Sequence, residues 1–174
     1  MSYFDFYNIP ITFKVDKAAL KRTFYAYSKK YHPDFYTLET EAKQAEILEK
    51  SSLNNEAYKV LTDFDKRMKY VLELKEVLQE EGKNKIPQDF LMEMMDINES
   101  LMELEFDFDA TKYEAVTSEL AQLETQLYRQ IETIIDNYDD TKATDVELSA
   151  IKDYYLKKRY LLRIRENLNK FASL

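Results

Sequence analysis

The chain has one imidazole, and it stands in the tripeptide His32-Pro33-Asp34. Histidine beside a carboxylate invites a search for catalysis or metal binding, and this sequence supplies little for either. Any site needing two imidazoles is excluded. Cysteine is absent, which removes disulfides, thiolate metal sites and cysteine nucleophiles. Ser-His-Asp catalysis could run only through His32, and no glycine-rich nucleophile turn accompanies it. Gly82 is the single glycine, so no phosphate-cradling loop can be built. The expectation is a protein that is not an enzyme and carries no metal or other cofactor. His32 and Asp34 are then recognition groups.

Recognition groups need elements to hold them. Asp16 reads as an N-cap, followed by Leu20, Phe24, Tyr27 and Tyr31 on one helical face. That helix should end at about Tyr31, because Pro33 lacks an N–H and disfavours helical geometry at the residue before it. A loop of about ten residues follows, and then a second helix from about Glu41 to Leu61. Its face runs through Ile47, Ser51, Asn54, Ala57, Tyr58 and Leu61. Ser51 and Asn54 are polar on that stripe, so packing there is either looser or hydrogen-bonded. A short N-terminal turn (Tyr3, Phe4, Phe6, Tyr7) and a third helix through Phe64, Met68, Val71, Leu74 and Leu78 complete a small helical bundle.

The tripeptide alone could be no more than a helix stop. Average composition places it by chance in on the order of one in a hundred chains of this length. Its flanks say more. The preceding helix is basic, with Lys14, Lys17, Lys21, Arg22, Lys29 and Lys30 against Asp16. A solvated face would explain that run by itself. The second helix, however, ends in Asn55-Glu56-Ala57-Tyr58-Lys59-Val60-Leu61-Thr62-Asp63, with Lys66-Arg67 and Tyr70 beyond. Together these features resemble the J domain over about residues 1–75. The resemblance implies docking on a DnaK-type chaperone and stimulation of its ATPase through His32, Pro33 and Asp34. Asp34 would accept charge-assisted hydrogen bonds from a partner arginine. Lys21, Arg22, Lys29 and Lys30 would steer the complex toward an acidic groove. Three positions depart from the family pattern. Tyr25 and Ala26 stand where basic residues are common, and Asn54 where an apolar one is usual.

The remainder differs in charge. Residues 1–80 hold thirteen basic and thirteen acidic side chains, whereas 81–174 hold twelve and twenty and carry the whole net −8. That balance disfavours nucleic acid as a partner, and the asymmetry points to modules with different partners. The polar stretch Glu80 to Pro87 contains the only glycine and reads as a boundary. The expected organisation is a J domain at 1–80, a linker at 81–87 and a three-helix bundle at 88–174, all-α throughout. The bundle's helices run through Phe90–Leu104, Tyr113–Tyr138 and Leu148–Phe171; on the second, the face steps through Leu127, Ile131 and Ile134. No apolar run approaches the roughly 18 residues of a membrane span. The N-terminus lacks a basic-then-apolar signal, so a cytoplasmic protein with no membrane partner is expected.

The first helix of that bundle has two faces. With Phe90 at zero and about 100° per residue, Met94, Ile97, Leu101 and Leu104 fall within about 40° of it. Leu91, Met92, Met95 and Met102 fall on the opposite side, with Asp96, Glu99 and Glu103. These residues either complete a wide core or pack on the N-terminal domain, or they form an adaptable binding surface, for which methionine is well suited. From Gln88 through Asp109 there are eight acids and no lysine or arginine, so the expected partner surface is basic.

An N-terminal J domain followed by an acidic helical bundle, with Phe90-Leu91-Met92-Glu93 opening the bundle, resembles the HscB family of iron–sulfur cluster co-chaperones. The resemblance implies a DnaK/HscA-type chaperone as one partner and an IscU-type iron–sulfur scaffold protein as the other. Scaffold contacts would then be Leu91, Met92, Met95, Asp96, Glu99 and Glu103, with Tyr155 on the last helix. The competing reading is a J-domain co-chaperone serving a different client.

Overall fold

The computed structural model describes residues 1–173. Every element among them is helical: α1 (Tyr3–Tyr7), α2 (Lys17–Lys30), a 3-10 turn (Pro33–Tyr36), α3 (Glu41–Thr62), α4 (Phe64–Leu74), α5 (Gln88–Glu93), α6 (Met95–Phe106), α7 (Ala110–Asp136), α8 (Asp145–Asn169) and a closing 3-10 turn (Lys170–Ser173). The chain divides into two compact units. The first is Met1–Leu74 with the α7–α8 connection Tyr138–Ala143; the second is Lys75–Asn137 and the chain from Thr144 onward.

In the first unit α2 and α3 lie antiparallel. Phe24 stacks on Tyr58 with ring centroids 4.3 Å apart, and Lys50 lies over the ring of Tyr31. Asp16 caps α2 by accepting the N–H groups of Ala18 and Ala19 at 2.9 and 3.1 Å. Beneath this pair α1 is closed by a Ser2–Asp5 capping box and buries Phe4 and Tyr7. Tyr70 of α4 stacks on Tyr3 and accepts its N–H at 3.0 Å. Phe13, buried, meets the ring of Tyr138 edge-on at 4.7 Å. That contact explains why Tyr138 belongs with this unit rather than with the bundle.

Of the two polar residues on the α3 stripe, Asn54 is hydrogen-bonded, not loosely packed. Asn54 is buried; its Oδ1 accepts the Tyr7 hydroxyl at 2.8 Å, and its Nδ2 reaches the Phe24 carbonyl and the Ser28 hydroxyl, each at 3.1 Å. One side chain thereby ties α1, α2 and α3. Burial pushes the Tyr7 phenol above its ordinary range, so it stays a neutral donor. Arg67 is the second buried polar residue. Its Nε donates to the Phe13 carbonyl at 2.8 Å and its guanidinium also donates to the Leu61 carbonyl at 2.5 Å.

α4 stops at Leu74, short of the expected Leu78. Glu76 takes φ 56°, a left-handed conformation that a continuing helix cannot contain. The polar stretch beyond forms a compact turn. Asn84 bonds both the N–H and the carbonyl of Gln79 at 2.9 Å, and Gly82 supplies φ 83°.

In the second unit α6, α7 and α8 pack as three helices, with α5 leading into α6. Arg165 of α8 grips Glu124 of α7 through two hydrogen bonds, at 3.2 and 2.8 Å. Asn98 of α6 donates to the Tyr160 hydroxyl at 2.8 Å, while Phe90 meets the Tyr160 ring edge-on. On α7 the buried face runs Leu127, Ile131, Ile135. The expected Ile134 is only half-buried, because the face advances by fours.

Candidate functional site

The tripeptide lies where α2 hands over to α3. Tyr31 caps α2, and His32 is extended at φ −75°, ψ 122°, as a residue before proline must be. Pro33 then occupies the first position of the 3-10 turn, where its missing N–H costs nothing. His32 Nδ1 accepts the Asp34 N–H at 3.3 Å, and the two side chains approach to 3.7 Å. His32, Pro33 and Asp34 are all exposed. The exposed Phe35 ring lies 5.6 Å from the imidazole.

Both ends of the loop are tied down. The Tyr36 hydroxyl donates to the Lys30 carbonyl at 2.7 Å, fixing the turn to the end of α2. Gln44 on the first turns of α3 donates to the carbonyls of Thr37 and Glu39 at 3.2 and 2.9 Å. Neither tie was visible in the spacing of the sequence, since Tyr36 and Gln44 fall on no apolar stripe. On α2, Lys21, Arg22, Lys29 and Lys30 all face solvent. None has a carboxylate partner among the described residues, whereas Lys43 and Lys50 of α3 both pair with Glu46. The first unit thus presents a constrained His-Pro-Asp turn beside a row of unneutralised cations.

The second surface is on α5 and α6. The expected single helix is interrupted at Met94, with φ −79° and ψ −7°. The hydrogen-bond ladder nevertheless runs through it: Met94 N–H reaches the Phe90 carbonyl at 3.1 Å and Asn98 N–H the Met94 carbonyl at 2.9 Å. The two faces therefore keep their phase. Phe90, Met94, Ile97, Leu101 and Leu104 are buried. Leu91, Met92 and Met95 are exposed, the two methionines at 63% and 64%, and Asp96, Glu99 and Glu103 stand beside them in solvent. So the outer face does not complete the core.

Tyr155 behaves differently from those six. It is buried on α8, with 6% of its surface accessible, and its hydroxyl accepts a hydrogen bond from Arg159 at 3.0 Å. Arg159 in turn reaches Glu81 at 3.5 Å. Tyr155 positions a cation and offers almost no surface of its own. Among the described residues no cluster of three or more histidine, aspartate or glutamate side chains is placed to hold a metal, and no helix is long and apolar enough to cross a membrane.

An antiparallel helical pair, buttressed by two further helices and carrying His-Pro-Asp at its turn, defines a J-domain co-chaperone, here with an all-α bundle behind it. Comparison with known proteins specifies the class. Residues 86–169 match the family described as the HSCB C-terminal oligomerisation domain. The co-chaperone protein HscB homologue of Pseudoalteromonas atlantica is 31% identical over 170 residues, covering 96% of this chain and 97% of that one. The homologue from Psychromonas ingrahamii is 29% identical over 97% of this chain and 99% of its own. Two solved structures share the fold at 22% identity. They are chaperone HscB from Vibrio cholerae, with TM-score 0.70 over 99% of this chain and 98% of that one, and human co-chaperone protein HscB, with TM-score 0.75 over 99% and 82%. The chain belongs to the HscB family of co-chaperones.

Proposed function

We propose that this chain stimulates the ATPase of a DnaK/HscA-type chaperone through His32, Pro33 and Asp34, and delivers to it an IscU-type iron–sulfur scaffold held on α5 and α6. The tripeptide biases the chaperone toward hydrolysis; Asp34 accepts from a partner cation, and the unpaired Lys21, Arg22, Lys29 and Lys30 bring an acidic surface into register. The scaffold contacts are Leu91, Met92, Met95, Asp96, Glu99 and Glu103. Tyr155 holds Arg159 and, being buried, offers a scaffold almost no surface of its own.

The observation that carries this reading is the pair of opposed faces on α5 and α6. One is consumed by the core, and the other is apolar, acidic and in solvent. An exposed methionine face ringed by carboxylates has no role in folding and suits an adaptable protein contact. The test is single-turnover ATP hydrolysis by the chaperone with this chain, the scaffold, or both. Stimulation by the chain that rises further when the purified scaffold is added supports the proposal. Stimulation with no binding of the scaffold would leave a J-domain co-chaperone serving another client.

A further inference from the structure

α6 carries a second apolar stripe that the core does not use. Counting about 100° per residue from Met95, Met102 and Phe106 return to within about 20° of it. The buried Ile97, Leu101 and Leu104 lie on the opposite side of the same helix. Met102 is 70% exposed and Phe106 95%. At the end of the stripe, where α6 turns into α7, an open cleft of about 590 Å³ is lined by Glu99, Met102, Glu103, Phe106, Asp107, Asp109 and Lys112.

The charge of this cleft is one-sided. Its single cation, Lys112, already pairs with Glu103. Asp109 is committed to the N-cap of α7, accepting the N–H groups of Thr111 and Lys112. Glu99 and Asp107 face the cleft with no cationic partner among the described residues. A second copy of this chain seated on the same stripe would set these carboxylates against their own counterparts, an arrangement that costs free energy rather than gaining it. The occupant must be basic. It must also carry an apolar group, because Met102 and Phe106 offer one side of a hydrophobic contact and the Phe106 ring face suits a cation. Glu99 and Glu103 belong both to the cleft and to the proposed scaffold surface, so the two are continuous.

We propose that the Met95–Met102–Phe106 stripe and its cleft form a second patch of the scaffold surface, receiving a lysine or arginine with an apolar neighbour. This rests on the scaffold reading above. The test is calorimetric titration of the full chain with the purified IscU-type scaffold, using three variants. Met102→Ala with Phe106→Ala should weaken binding by on the order of tenfold or more. Its melting temperature should stay unchanged, because both side chains are in solvent. Asp107→Lys should weaken binding roughly two- to fivefold at low salt, a difference that closes as salt rises. Leu91→Ala with Met92→Ala reports the first patch, since neither residue belongs to the stripe. If that pair weakens binding while the Met102/Phe106 pair does not, the inference fails and the scaffold reading stands. If the parent chain does not bind the scaffold, both fail. Sedimentation adds one further outcome. A dimer of the parent chain that Met102→Ala with Phe106→Ala abolishes would give the stripe to a second copy and overturn the proposal.

Discussion

Met94 and Met95 are adjacent in the chain and opposite in environment: 1% of one is accessible, and 64% of the other. Met94→Ala should therefore destabilise the bundle by about 2–5 kcal/mol, through lost burial and the cavity left behind. Met92→Ala with Met95→Ala should leave thermal unfolding almost unchanged while lowering scaffold affinity by about 1 kcal/mol or more per anchor. Unfolding by circular dichroism and titration with the scaffold measure the two halves. Equal destabilisation by both variants would mean that the outer face is a packing surface.

His32 and Asp34 should separate activity from stability. Asp34→Asn should abolish stimulation of the chaperone ATPase at a stability cost below about 0.5 kcal/mol, as for other exposed positions. His32→Gln also removes the acceptor that caps the Asp34 N–H, so its cost rises to about 1 kcal/mol or less. Steady-state ATPase assays beside melting curves check this. Full stimulation by both variants would refute the role of the tripeptide.

The cations of α2 should act through rate. Stimulation should weaken with added salt, since the Debye length falls from about 10 Å at 0.1 M to about 3 Å at 1 M. Reversal of Lys21 and Arg22 together should slow association more than it speeds dissociation. Stopped-flow binding at two ionic strengths distinguishes the two rates. A salt-independent association would reduce the basic run to a solvated face.

The buried node at Asn54 yields a stability prediction with a built-in control. Asn54→Leu takes away the 2.8 Å acceptor of the Tyr7 hydroxyl, leaving it the longer bond to the residue-54 backbone carbonyl at 3.3 Å, and should cost about 1–3 kcal/mol. Adding Tyr7→Phe removes that under-satisfied group, so the double variant should cost less than the sum of the singles. Chemical denaturation of the four proteins gives the coupling energy directly. Simple additivity would show that the 2.8 Å contact contributes nothing.

How much of this could be read from the sequence follows from the range of the interactions involved. Burial along a helical path is a periodic property, so the buried stripe of α5 and α6 and its exposed opposite face were both present in the spacing of Phe90, Met94, Ile97 and Leu101. The tripeptide was equally plain, because proline ends a helix by local geometry. The missing parts depend on distant partners. No glycine or proline marks the interruption at Met94, and Glu76 is an unusual residue to take a left-handed conformation. The stop of α4 before Leu78 was hidden for that reason. Asn54 looked like a weak point on α3 because its partners, Tyr7, Phe24 and Ser28, lie far away in sequence. Tyr138 matched the period of α7, but its ring is drawn to Phe13. Tyr155 fell on the last helix at an aromatic position, and only the fold reveals that it is inside.

The ties of Tyr36 to Lys30 and of Gln44 to Thr37 and Glu39 have a thermodynamic consequence for whatever meets the loop. Ordering a free segment on contact costs roughly 1–2 kcal/mol of backbone entropy per residue. A loop already fixed at both ends has met that cost during folding of the chain itself. A partner therefore encounters His32, Pro33 and Asp34 in a shape that needs little rearrangement, and only side-chain rotamers remain to be frozen. Three exposed residues, too few to bury much area, can then yield a usable contact because almost none of its free energy is spent on shaping the loop.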